Sequence, residues 1–102
     1  VNASTLFDVN GDADISGTLG VTGVATLTAT PIANAGITVK NGSTSAGYVE
    51  FYEDSDNGTN KVTLIGPAST SDITLTLPST AGTVATEAAA LNEAVAMAIA
   101  LG

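Results

Sequence analysis

The chain has 102 residues, with no cysteine, histidine, arginine or tryptophan. Its ten carboxylates stand against two lysines, Lys40 and Lys61, for a net charge of −8. That balance excludes nucleic-acid binding, which needs Lys and Arg to neutralise phosphates, and binding to anionic membrane surfaces; the missing thiols exclude disulfides and thiolate metal sites. The apolar fraction is 44%, but much of it is Ala, so a single chain of this make-up builds a poor core and gains from oligomerisation.

No apolar run approaches the roughly 20 residues that cross a bilayer. No signal peptide is visible, and Val1 in place of Met reads as a fragment or a processed product. After a loose lead-in over residues 1–8, a six-residue repeat occupies residues 9–30. Its units are Val9-Asn10-Gly11-Asp12-Ala13-Asp14, Ile15-Ser16-Gly17-Thr18-Leu19-Gly20 and Val21-Thr22-Gly23-Val24-Ala25-Thr26. A weaker unit follows, Leu27-Thr28-Ala29-Thr30-Pro31-Ile32. Over residues 9–30 odd positions are apolar or Gly, and even positions are polar except Gly20 and Val24. Period two is the β signature, with one face buried and one wet. A third-position Gly implies a bend or a close approach to the backbone. Such repeats stack on copies of themselves. Val9, Ile15, Val21 and Leu27 are expected to face a shared axis.

Residues 31–36 read as a connector. The segments 37–40, 48–53, 61–65 and 72–77 read as strands, with 48–65 a hairpin, and 83–85 reads as a last short strand or an exit. Asn41-Gly42 marks a turn, and Gly66-Pro67 and Pro78 break the pattern. Residues 86–101 switch to helical spacing. Thr86 caps the helix, Glu87 occupies its first turn, and Ala88, Leu91, Val95, Ala98 and Ile99 share one face. This helix is expected to associate with its own copies or with the sheets.

The candidate sites are thin. Asp8, Asn10 and Asp12 match the first oxygen ligands of a calcium loop. The sixth residue, however, is Ala13 and the twelfth is Leu19, where a Gly and a bidentate carboxylate are needed. Asn10, Asp12 and Asp14 therefore read as the wet face of the first hexad. Asp54, Asp56, Asn57 and Asn60 read as an exposed hairpin loop around Asn57-Gly58 rather than a cation site. Glu50 and Glu53, on one strand, point to opposite faces and make no glycosidase pair. Nothing present activates a nucleophile. The Thr rows 26–30 and 74–76 read as ordinary wet faces. The sequons at Asn2, Asn41 and Asn57 read as chance matches. No catalytic, cofactor-binding or metal-ligating residue is assigned; the chain is expected to be no enzyme and to need no calcium.

The repeat Gly11-Asp12-Ala13-Asp14-Ile15-Ser16-Gly17-Thr18-Leu19-Gly20-Val21-Thr22-Gly23 resembles those of trimeric bacteriophage tail-fibre and appendage proteins. Gly47-Tyr48-Val49-Glu50-Phe51-Tyr52-Glu53-Asp54, Leu64-Ile65-Gly66-Pro67, Ile73-Thr74-Leu75-Thr76-Leu77-Pro78 and Gly82-Thr83-Val84-Ala85 resemble a module of marine phage virion proteins, notably those infecting cyanobacteria. The resemblance spans roughly residues 9–86 and implies an elongated homotrimer in the virion, without cofactor, beside other virion proteins. The expected fold is mainly β: a six-residue β-repeat stem over 1–33, a small β domain of hairpins over 34–85 and a C-terminal helix over 86–102. The alternative function is a carbohydrate- or receptor-binding adhesion module using the 43–60 loops. A third reading is a trimeric adhesin stalk on a bacterial surface.

Overall fold

The computed structural model describes residues 6–101. Expectations placed on residues 1–5 and 102, including the Asn2 sequon and the terminal Gly102, lie outside the described residues. The chain divides into two units, Val1–Thr38 and Val39–Gly102.

The first unit corrects the expected β-repeat stem. No residue of the 9–30 repeat is in a strand, and all of them are exposed. Alternation decides which side chains share a face; a strand also needs a neighbour to complete its ladder of hydrogen bonds. Among the described residues the repeat has no such neighbour. What recurs is a bend, at 10–11, 16–17, 22–23, 28–29 and 34–35. The spacing is six residues throughout, and each bend falls on the second and third positions of a hexad. The last bend, at Asn34-Ala35, carries the period through the stretch read as a connector. A Cβ built at Gly11, Gly17 or Gly23 meets nothing within 4 Å. Within one chain these glycines therefore mark bends, not close approaches. None has a positive φ, so Ala29 and Ala35 hold the equivalent position without strain. Shielding follows the repeat as well: Val9, Ile15 and Val21 are 46%, 53% and 53% exposed, against 92% for the out-of-phase Val24.

The second unit holds the regular structure: β1 (Tyr48–Tyr52), β2 (Lys61–Ile65) and α1 (Glu87–Ala100). β1 and β2 form one antiparallel hairpin in the register Tyr48↔Ile65, Val49↔Leu64, Glu50↔Thr63, Phe51↔Val62, Tyr52↔Lys61. The β-branched and aromatic content of both segments suits a pleated surface. The pairing continues at both ends: the Glu53 amide donates to the Asn60 carbonyl at 2.9 Å and the Gly66 amide to the Gly47 carbonyl at 3.0 Å.

The segments 37–40 and 72–77, expected as strands, are not strands, and 83–85 is an exit rather than a last short strand. Residues 72–77 alternate cleanly but have no paired neighbour, and Pro67 and Pro78 flank them without amide donors. Residues 39–40 run against the start of the hairpin without ladder bonds. Gly47 permits this approach, because a Cβ there would collide with the Val39 carbonyl oxygen. The fold is thus one hairpin and one helix, not a mainly β domain.

α1 begins where its capping chemistry places it. Thr86 is extended (φ −75°, ψ 163°), and its hydroxyl accepts from the Ala89 amide at 3.2 Å. Glu87 sits in the positive first turn. The apolar surface is not confined to the stripe of Leu91, Val95 and Ile99; at 100° per residue Met97 and Leu101 lie on the far side. All five are exposed, and α1 packs on neither strand. Removing the cap in Thr86→Ala is expected to weaken the helix by about 1 kcal/mol. Circular dichroism should register this as a lower helical signal on warming, with the strand signal unchanged.

Candidate functional site

The hairpin presents two chemically different faces. Residues paired across an antiparallel ladder share a face, so Val49, Leu64, Phe51 and Val62 form one face without a polar group. All four are exposed, Phe51 at 58%. The opposite face carries Tyr48, Ile65, Glu50, Thr63, Tyr52 and Lys61. There the Lys61 ammonium pairs with the Glu50 carboxylate and lies 5.6 Å from the centroid of the Tyr52 ring. The hydrogen bond and charge of Glu50 hold the Lys61 ammonium above the ordinary lysine range, with Tyr52 adding to the effect.

The connecting loop is organised by Glu53, a half-buried residue. One oxygen, Oε1, accepts from the Asn60 amide at 3.0 Å; the other, Oε2, accepts from Asn57 Nδ2 at 2.9 Å. Asp54 closes an Asx turn, its Oδ1 accepting from the Asp56 amide at 3.0 Å, and its carbonyl accepts from the amides of Asn57 (2.9 Å) and Gly58 (3.3 Å). Gly58 has φ +155°, and a Cβ there would lie 2.7 Å from Glu53 Oε1. The backbone hydrogen bond from Asn60, then the side-chain bond from Asn57, hold the Glu53 carboxyl below the ordinary glutamate range. A depressed carboxylate stabilises the folded loop above the unfolded pKa and loses that contribution as pH falls through the lower folded value. The Asn60 amide is therefore expected to stay protected from hydrogen exchange at neutral pH and to lose protection on acidification below the usual glutamate range. In Glu53→Gln the protection should already be weak at neutral pH.

The structure separates some of the residues singled out in the sequence and gathers others. Glu50 and Glu53 do not converge: one pairs with Lys61, the other lies beyond β1 and turns into the loop. Asp54, Asp56, Asn57 and Asn60 are brought together, but their contacts build the turn itself. The sequence reading centred this loop on Asn57-Gly58 and missed Glu53 as its hub; the Asp54-Ser55-Asp56 spacing of an Asx turn was the available signal. No group of three or more His, Cys, Asp or Glu residues is gathered for a metal among the described residues. Asp8, Asp12 and Asp14 lie in the first unit and are exposed.

An open hollow of about 920 Å³ lies between residues 41–47 and 65–70. Its lining holds no titratable side chain and no aromatic ring. A smaller hollow, about 320 Å³, is bounded by Phe51, Tyr52, Glu53, Asn60, Lys61 and Val62. Its charged groups are engaged with Glu50, Tyr52 and the loop amides. No helix among the described residues is long and apolar enough to cross a membrane. No protein-family model, curated protein or solved structure matches the chain.

Proposed function

We propose that the chain is a non-enzymatic structural component of a phage virion fibre or appendage that works as a homotrimer. The observation that carries this reading is the absence of a core: among the described residues no apolar side chain is buried. A single folded chain cannot leave its Leu, Ile, Val and Phe side chains in water at so little gain. The exposed apolar groups recur with the hexad, fill one face of the hairpin and surround α1, so they are distributed over the chain rather than gathered in one docking patch. Such a distribution suits copies that share a common core, and the resemblance of the 11–23 repeat to trimeric phage fibres supplies the number three and the location.

The glycan- or receptor-binding alternative for the 43–60 loops has less behind it. Lys61 and Tyr52 face each other, Glu53 is consumed by its own loop, and the larger hollow lacks an aromatic platform. Antibodies raised against the chain should label projecting appendages of purified phage particles in electron microscopy. Unlabelled particles, with the signal on the host envelope, would contradict the virion assignment.

A further inference from the structure

The chain contains three Asn-Gly pairs, Asn10-Gly11, Asn41-Gly42 and Asn57-Gly58, and all six residues are exposed. This dipeptide can cyclise on itself. The Gly amide nitrogen, after giving its proton to hydroxide, attacks the Asn side-chain carbon Cγ. A C–N bond forms, the Cγ–Nδ2 bond breaks, and the amide leaves as ammonia after taking a proton from water. Water then opens the five-membered imide at one carbonyl or the other, yielding Asp or the isomer in which the backbone runs through the side chain. No oxidant or cofactor enters. The step needs a Gly amide free to lose its proton and a backbone free to bring nitrogen to Cγ.

The three pairs differ in both respects. The Gly42 amide is held by the Ser45 carbonyl at 3.0 Å, and the Gly58 amide by the Asp54 carbonyl at 3.3 Å. At the third pair the leaving nitrogen is held too, since Asn57 Nδ2 donates to Glu53 Oε2 at 2.9 Å. The Gly11 amide has no hydrogen-bond partner among the described residues, and Asn10-Gly11 sits at the first bend of the repeat, where a Cβ on Gly11 would meet nothing.

We propose that Asn10 is a site of spontaneous, water-driven deamidation through Gly11, and that the folded structure protects Asn41 and Asn57. The modification places a new carboxylate beside Asp12 and, in the isomerised product, adds a methylene to the backbone of the first bend. This inference does not rest on the virion assignment; it requires that the copies of the proposed trimer leave the Gly11 amide unbonded, and slow hydrogen exchange of that amide in the trimer would overturn it.

The test is to incubate the full chain at mildly alkaline pH and follow each Asn by peptide mass spectrometry with fragmentation that separates Asp from its isomer. Asn10 should convert about tenfold or more ahead of Asn41 and Asn57. In denaturant the three rates should converge, because the hydrogen bonds that separate them are gone. Gly11→Ala should slow conversion at Asn10, and Glu53→Ala should speed it at Asn57 alone. Equal rates at the three sites in the folded chain, an order unchanged by denaturant, or an Asn57 indifferent to Glu53→Ala would overturn the proposal.

Discussion

A chain ending at Ala85 is expected to assemble far more weakly than the full chain while keeping its strand signal in circular dichroism. The deleted segment carries Leu91, Val95, Met97, Ile99 and Leu101, and all five are in water in the single chain. Fully burying one such side chain is worth about 1.5–3 kcal/mol. Covering even half of this surface between copies therefore contributes on the order of 5 kcal/mol per chain. A 14-residue helix is marginal by itself in water, and one that is apolar nearly all round is normally covered. α1 touches neither β1 nor β2, so its removal takes nothing from the hairpin. Sedimentation equilibrium measures the effect: a truncated chain that associates as strongly as the full one would mean that α1 takes no part in assembly.

The second large effect is expected at Phe51. Phe51→Ser should cost assembly about 2–4 kcal/mol per chain, the range of a central aromatic anchor. Phe51 sits over Val62 and beside Val49 and Leu64 on a face with no polar group to favour water. Glu50→Gln is the comparison on the opposite face, where an exposed ion pair contributes little. The two variants should therefore separate widely in dissociation constant. Similar constants would mean that the apolar face of the hairpin stays in water in the assembly.

Local chemistry was legible in the sequence where a few neighbouring residues suffice to specify it. The helix start is of this kind, because Thr86 and Glu87 satisfy and charge its first turn without help from elsewhere. So is the hairpin, whose two β-prone runs are joined by a loop of turn residues. The six-residue period was legible as well, and so was the bend at its third-position Gly; strands between the bends do not form. Alternation in Val9, Gly11, Ala13 and Ile15 predicts strands, whereas the period appears as a bend at every sixth residue. The same pattern predicts strands over 37–40 and 72–77, where none form. A pattern of side chains names a face and leaves open which backbone, if any, pairs with it. Glu53 was missed for a related reason. Its role depends on Asn57 and Asn60 folding back on it, and the Asp54-Ser55-Asp56 spacing signals the turn without naming the acid at its hub.

On the proposed function, a chain with no buried apolar side chain among its described residues is completed by two further copies. Light scattering coupled to size-exclusion chromatography, on the full chain at micromolar concentration and moderate salt, tests it most directly. Salt matters because each chain carries a net charge of −8 and assembly must overcome that repulsion. The expected result is a single species of three times the chain's 9.9 kDa, unchanged on dilution through the micromolar range. A monomeric mass across that range would contradict the account.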